Sequence, residues 1–201
     1  MKDINIISLD MEFEQSCQTI IQVGVIVGNL KTGEILKEYC EHINIGKPIS
    51  EYIRKLTGIK QEDIDNGKSL MQIYQDLKDL HKEYDCFRNC LTWGGGDSES
   101  LRNNLNLDDE MFLFGRRWID VKTLFVSLMF AQDKSHQAGL AKALLRMNLQ
   151  FKGRKHNSKD DALNTFLIYR ELLKKFISEK YTTENNDYQE ENWENEGGII
   201  K

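Results

Sequence analysis

The segment that decides the fold is residues 4–13, Ile-Asn-Ile-Ile-Ser-Leu-Asp-Met-Glu-Phe. Its branched residues predict a buried strand, yet it contains two acids, Asp10 and Glu12. Because side chains alternate along a strand, residues two apart share a face. Two buried carboxylates repel each other and invite a cation. The spacing alone is weak evidence for a cation site, since about five such pairs arise by chance at this composition. A central strand strengthens the evidence, because unpaired charge is costly where it is buried.

The rest of the chain continues this strand into a layered pattern. Residues 20–28 and 34–45 predict two further strands, which with the first form an antiparallel meander. Ser50 and Ser69 can each cap a helix, and the first helix stops at Gly58. Further strands are predicted at residues 86–93 and 112–121, and further helices at 97–105, to about 130, at 140–149 and from 158. This order predicts an α/β fold with a mixed sheet.

The composition predicts a globular protein outside the membrane. The chain has 201 residues, of which 40% are hydrophobic and 29% are charged. The longest apolar stretch, residues 20–27, is too short to span a bilayer, so an integral membrane protein is excluded. The chain begins without a signal-peptide pattern, and its four cysteines are expected to be reduced packing residues. We therefore expect a cytoplasmic protein.

The net charge of −5 is concentrated at the end of the chain. Residues 182–201 hold six acids and one base, which predicts a disordered acidic tail after a neutral domain at residues 1–181. A neutral domain can bind nucleic acid only through local basic patches. Arg154 and Lys155 form one candidate patch, although a solvated loop remains the alternative.

Asp97 follows Trp93 and three glycines, and it precedes a helical pattern. Asp at this position can simply cap the helix, because its side chain accepts hydrogen bonds from free N–H groups. Residues 94–96 need a separate explanation. Either a ligand approaches the backbone closely or the turn is strained.

His156 and Asp161 form a third candidate, on a loop and in the first turn of the last predicted helix. A structural explanation is available, because Ser158 with Asp161 resembles a capping box and His156 could be an exposed loop residue. The functional interpretation places both side chains at one site, where the helix N-terminus would also favour phosphate.

Together these residues resemble the three motifs of the DnaQ-like (DEDDh) 3′–5′ exonucleases. The motifs are Asp10-Met11-Glu12, Asp97 after Trp-Gly-Gly-Gly, and His156 five residues before Asp161. The resemblance spans residues 4–175, and it is closest to the branch of the histone-mRNA 3′ exonucleases and KapD-type proteins. It implies a ribonuclease H-like three-layer fold, in which helices flank a mixed five-stranded sheet whose first three strands are antiparallel.

The resemblance also implies a catalytic site. Two divalent cations, Mg²⁺ or Mn²⁺, would be held by four carboxylates: Asp10, Glu12, Asp97 and Asp161. These hard ions prefer oxygen ligands, and two of them clamp an in-line displacement at phosphorus. His156 would be the general base, because imidazole titrates near neutral pH. Family spacing from this histidine favours Asp161 over the adjacent Asp160.

The implied substrate is a single-stranded nucleic-acid 3′ end. Five residues are expected to bind it: Met11, Phe13, Trp93, Arg154 and Lys155. The predicted function is a metal-dependent 3′–5′ exonuclease that releases nucleoside 5′-monophosphates, with RNA favoured. The alternatives are a proofreading or repair type of DNA exonuclease, a non-catalytic nucleic-acid-binding regulator on the same fold, and a generic α/β domain whose acids lie far apart. Monomer and homodimer both remain open.

Overall fold

The structure, a computed structural model, describes residues 3–15, 17–106, 113–115, 117–130 and 139–180. The strands are β1 (Asn5–Glu14), β2 (Thr19–Asn29), β3 (Ile35–His42), β4 (Leu91–Thr92) and β5 (Ile119–Asp120). The helices are α1 (Glu51–Thr57), α2 (Gln61–Asp65), α3 (Leu70–Glu83), α4 (Asp97–Leu105), α5 (Val121–Phe130), α6 (Leu140–Arg146) and α7 (Ser158–Lys180).

The five strands form one mixed sheet in the order β3-β2-β1-β4-β5. β1, β2 and β3 pair antiparallel, whereas β4 and β5 extend the sheet in parallel from β1. The register of β1 against β2 shifts at a bulge between Glu12 and Phe13. The predicted mixed five-stranded sheet with an antiparallel start is therefore confirmed.

Alternate residues of β1 belong to opposite layers of the molecule. Ile7 and Met11 are buried in the core that α3 and α4 cover. Ile6 is buried in the other core, which α5, α6 and α7 cover. Asp10 and Glu12 lie four and six residues after Ile6. Because side chains alternate along a strand, both acids therefore lie on the same face as Ile6, which is the face that α7 covers.

Two glycines of β2 allow α7 to lie directly on the sheet. A Cβ atom at Gly24 would collide with the backbone of Ser158 and Lys159. A Cβ atom at Gly28 would collide with the ring of Phe166. The absence of side chains at these positions therefore brings the first turn of α7 close to the strand that pairs with β1.

The two parallel strands, β4 and β5, are shorter than the sequence predicts. The strand expected at residues 86–93 is only Leu91–Thr92, and Cys86 forms an isolated bridge with Asn5. Gly94, two residues after the strand, has a φ of 125°, which favours glycine. The strand expected at residues 112–121 is Ile119–Asp120, although residues 107–112 and 116 lie outside the described part of the chain.

The helix ends follow local capping chemistry. The caps at Ser50, Gly58 and Ser69 are confirmed. The helix expected at residues 140–149 ends at Arg146, and Asn148 then takes a left-handed φ of 58°, which asparagine tolerates better than most residues. The short helix α2 has no counterpart in the sequence prediction.

The acidic tail at residues 182–201 lies outside the described residues, so it and the domain boundary remain predictions. Of the helices in the described ranges, none has the length and apolar content that crossing a bilayer requires.

Candidate active site

Four acidic side chains meet at the edge of the sheet where β1 and β4 end. Asp10 and Glu12 lie on β1, and Asp97 is the first residue of α4, which follows β4. Because β1 and β4 are parallel, their carboxyl ends lie at the same edge. Asp161 lies in the first turn of α7, which packs on Gly24, the β2 partner of Asp10.

The pKa values of the two β1 acids show that the four carboxylates share one electrostatic environment. Asp10 has a pKa well above its usual range, mainly because it is desolvated. The charges of Asp97, Asp161 and Glu12 raise this pKa further. Desolvation raises the pKa of Glu12 to about 7, and the charges of Asp161 and Asp97 add to the shift. Without a metal ion, the four carboxylates therefore repel one another when they are ionised.

The other two acids are perturbed in the same direction. Desolvation raises the pKa of Asp97 to about 7, with a further contribution from the charge of Asp120. Desolvation also raises the pKa of Asp161 to about 6, although the backbone N–H of His156 and the charge of Lys155 oppose the increase. The generic α/β interpretation, which requires distant acids, is therefore wrong.

His156 lies beside this cluster in a left-handed backbone conformation, with a φ of 60°. Its backbone N–H donates to Oδ2 of Asp161 across 3.2 Å. Possible ligand atoms of Glu12, His156 and Asp161 all lie within 4.8 Å of one another. The imidazole belongs to an exposed residue, so solvent can reach it.

The residues fit a divalent cation. Oδ1 of Asp161 is buried and has no hydrogen-bond partner among the described residues. A buried acceptor without a partner is costly, and a cation would satisfy it while also relieving the repulsion with Asp10 and Glu12. Carboxylate oxygens are the ligands that hard divalent ions prefer. The cluster could therefore hold such an ion.

Asp160 has a structural role that differs from that of the adjacent Asp161. Its Oδ2 accepts the backbone N–H of Arg154 across 2.8 Å. Asn164 holds the same loop, because its side chain bonds both the N–H and the carbonyl of Lys152, at 3.0 and 2.8 Å. Asp160 thus fixes the loop before His156, and these contacts favour Asp161 as the metal ligand.

The predicted substrate-binding residues divide into two groups. Met11 is 5% exposed and packs in the core on the opposite face from Asp10, and Phe13 packs against the same core. Trp93 is half-buried against Phe125, with ring centroids 6.1 Å apart. Their proposed contacts with a nucleotide stay predictions.

The basic pair lies on the exposed loop before His156. Lys155 is close enough to Asp161 to lower its pKa. Arg154 places its guanidinium where a Cβ at Gly58 would lie, at the end of α1. It therefore links the loop to that helix, and a contact with substrate phosphate remains a prediction.

Sequence reasoning missed the roles of two acids. Asp120, at the end of β5, faces Asp97 closely enough to raise its pKa and also accepts from the N–H and hydroxyl of Thr123. Its place near the end of a predicted strand that reaches the same sheet edge was the available signal. Glu14 remains within β1, is 3% exposed and accepts the backbone N–H of Ser50 across 2.7 Å. No sequence pattern connects Glu14 to Ser50, which caps α1 far along the chain.

Comparisons with known proteins identify the family of this chain. A family model described as Exonuclease (RNase_T) matches residues 7–169. ERI1 exoribonuclease 2 of Mus musculus is 27% identical, with 82% of this chain and 28% of the relative covered. The 3′-5′ exonuclease Snipper of Drosophila melanogaster is 25% identical, with 86% of this chain and 67% of the relative covered.

Among solved structures, the chain resembles the nuclease domain of 3′hExo, a DEDDh family member bound to rAMP. The TM-score is 0.73 at 22% identity, and the match covers 86% of this chain and 93% of that chain. This likeness shows the ribonuclease H-like fold. The chain spans little more than a quarter of the ERI1 exoribonuclease 2 length. With the family model matched over most of its length, the chain belongs to the exonuclease family.

Proposed function

We propose that the protein is a metal-dependent 3′–5′ exonuclease that hydrolyses phosphodiester bonds at single-stranded 3′ ends, with a preference for RNA. The observation that carries the proposal is the convergence of four carboxylates beside His156 at one edge of the sheet. Asp10, Glu12, Asp97 and Asp161 would hold two divalent cations, Mg²⁺ or Mn²⁺. When bound, these ions supply positive charge to the scissile phosphate and acidify the attacking water.

The remaining steps are proton transfer from the attacking water and cleavage of the bond to the leaving oxygen. His156 takes the proton from water as the new oxygen–phosphorus bond forms. The bond between phosphorus and the 3′ oxygen of the preceding nucleotide breaks, and that oxygen acquires a proton from solvent. The products are a nucleoside 5′-monophosphate and a chain that is one nucleotide shorter. The hydrogen bond from the backbone N–H of His156 to Asp161 supports this role, because it holds the proposed base beside a proposed metal ligand.

The preference for RNA rests on the relatives. ERI1 exoribonuclease 2 and 3′-5′ exoribonuclease 1 are named for RNA substrates. One structural neighbour, with a TM-score of 0.72, is described as a 3′-exonuclease that recognises the 3′ end of the histone mRNA stem-loop. Another neighbour, Exonuclease I of E. coli, is in complex with a dT13 oligonucleotide. The fold thus accepts either sugar, and the experiment must compare them.

The test is digestion of matched 5′-labelled single-stranded RNA and DNA with Mn²⁺, Mg²⁺ or EDTA, resolved on a gel. We expect a ladder that shortens from the 3′ end only when a divalent metal is present, with RNA degraded faster than DNA. The Asp10→Asn variant should produce no ladder. A faster DNA reaction would favour the DNA exonuclease alternative.

A non-catalytic regulator predicts a different outcome. The folded wild-type chain would then bind the same oligonucleotides without shortening them under any metal. The retention of all four acids and the histidine argues against this reading, because a protein that only binds has no need for a repulsive cluster.

A further inference from the structure

Gln22 is a polar residue inside an otherwise apolar part of β2. Its neighbours along the strand, Ile21 and Val23, are fully buried, and Gln22 itself is only 2% exposed. Burying an amide is costly unless its polar atoms have hydrogen-bond partners. The partners of this amide therefore indicate what it contributes to the protein.

Both polar atoms of the Gln22 amide have partners. Its Oε1 accepts from the backbone N–H of Ser158 across 3.1 Å and from the hydroxyl of the same residue across 2.8 Å. Its Nε2 lies 2.8 Å from Nε2 of His42, the last residue of β3. Because a backbone N–H can only donate, the amide oxygen must face Ser158, and the amide nitrogen then donates to His42. The amide therefore has one orientation, and it connects β3 with the start of α7.

The bond to Ser158 attaches the first turn of α7 to the sheet. The first N–H groups of a helix have no partner within the helix and need one elsewhere. Asn157 satisfies two N–H groups locally, since its Oδ1 accepts from Asp160 across 3.2 Å and its carbonyl accepts from Asp161 across 2.9 Å. These two bonds move with the helix. The N–H of Ser158 is instead bonded from β2, so this bond fixes the helix start relative to the sheet.

This attachment lies between the two halves of the candidate active site. Gln22 is the β2 partner of Glu12, so the side chains of these two residues lie on the same face of the sheet. Ser158 lies two residues after His156 and three residues before Asp161. The contact of Gln22 with Ser158 therefore sets how close the loop and helix residues come to Glu12.

A second buried hydrogen bond attaches α7 on the other side of Asp161. The hydroxyl of Ser8 on β1 donates to the carbonyl of Ala162. Without the bond from Gln22, α7 would keep this attachment at Ala162 but lose its buried hydrogen bond on the side of His156. The segment that holds both His156 and Asp161 could then shift while the rest of α7 stays on the sheet.

We propose that Gln22 is a positioning residue for hydrolysis, which acts through Ser158 to hold His156 and Asp161 beside Glu12. This inference rests on the proposed function, since the roles of those three residues come from it. Gln22 does not bind the substrate, because its amide oxygen and nitrogen are bonded within the protein. Loss of the amide therefore lowers kcat and leaves the KM for RNA nearly unchanged.

The first test replaces Gln22 with methionine, which has a similar length but no amide. With a single-stranded RNA 12-mer, we expect Gln22→Met to lower kcat about tenfold or more, because small displacements of reacting groups are costly, and to change KM less than about twofold. Asn29→Leu is the matched control. Asn29 is a buried amide at the other end of β2, and it also accepts a backbone N–H, that of Thr32, across 2.9 Å. Equal losses of kcat in the two variants would overturn the inference, as would a wild-type kcat for Gln22→Met.

A double-mutant cycle tests whether Gln22 acts through Ser158. Ser158→Ala removes the hydroxyl, and we expect it to lower kcat in the wild-type chain by a factor at least about twofold larger than in Gln22→Met. The contact of this hydroxyl with Cys40 is lost in both backgrounds and cancels in the comparison. Equal losses in both backgrounds would overturn the inference. If Gln22→Met does not fold, Ser158→Ala decides alone, and a wild-type kcat in that variant would overturn the inference.

Amide hydrogen exchange reports on the position of this segment without requiring activity. In Gln22→Met we expect the N–H groups of residues 156–161 to exchange about fivefold faster or more, while those of residues 166–172 exchange as in the wild type. Unchanged exchange at residues 156–161 would overturn the inference. If the wild-type chain hydrolyses neither RNA nor DNA, the proposed function is wrong, and faster exchange confined to residues 156–161 would still show that Gln22 holds this segment.

Discussion

The hydroxyl of Ser8 donates to the backbone carbonyl of Ala162 across 2.7 Å, and both residues are buried. Ser8 lies two residues before Asp10 on β1, and Ala162 directly follows Asp161 on α7. This contact therefore helps to hold one acid-bearing element against the other. The Ser8→Ala substitution should cost about 1 kcal/mol of stability, the usual loss for a buried hydrogen bond.

Gly24→Ala should damage the site by displacing α7. The added methyl group would meet the backbone of Ser158 and Lys159, which cannot move aside as a side chain can. We expect a loss of about 1–3 kcal/mol in the free energy of unfolding. A shift of Asp161 by about 1 Å should also lower kcat roughly 100-fold. Denaturant unfolding measures the loss of stability, and single-turnover cleavage measures the loss of rate. Gly139→Ala is the control. If Gly24→Ala had wild-type stability and rate, the close packing of α7 on Gly24 would be contradicted.

The metal-free protein should lose stability as the pH rises from about 5 to 8. The folded pKa values of Glu12 and Asp97 are raised to about 7, so the folded state holds more protons than the unfolded chain in this range. Their contribution is fully present below the unfolded pKa values and is lost as the pH rises through the folded ones. Thermal unfolding in EDTA should show a falling Tm, and Glu12→Gln should flatten the fall. Parallel curves for variant and wild type would exclude Glu12 as a cause.

A divalent cation should stabilise the folded chain through Asp161 and not through Asp160. At saturating Mn²⁺ we expect a Tm increase, because binding to the folded state alone adds about 2.7 kcal/mol at 100 times the Kd. Asp161→Asn should lose most of this increase, whereas Asp160→Asn should retain it despite a looser loop. The reverse pattern would show that the ligand assignment is wrong.

His156→Asn should reduce turnover while metal binding persists. Asparagine tolerates the left-handed φ of 60° at this position, so the loop backbone is preserved while the imidazole is removed. We expect a decrease in kcat of about 100-fold or more, typical for loss of a general base. The pH–rate profile should lose the limb that reports the base. Recovery of full activity at high metal concentration would identify His156 as a ligand instead.

Local sequence information predicted much of the fold, because its signals act over a few residues. The alternation in β1 placed Asp10 and Glu12 on one face, and the Ser50 and Ser69 caps marked two helix starts. The resemblance to DEDDh exonucleases then gave five candidate residues their predicted roles. The sequence prediction overestimated the lengths of β4 and β5. A run of apolar residues after a turn predicts a strand, but it carries no information on whether a neighbouring strand is available to pair with it.

Relationships between distant segments required the tertiary structure. The bulge after Glu12, the contact of Glu14 with Ser50 and the approach of Asp120 to Asp97 each join elements whose separation in sequence carries no periodic signal. The sequence by itself determined which acids are available and which face of its strand or helix each acid occupies. Only the packing of α7 on Gly24 and the parallel pairing of β4 with β1 decided that these acids share one desolvated site, because charge repulsion of this kind depends on distance through space.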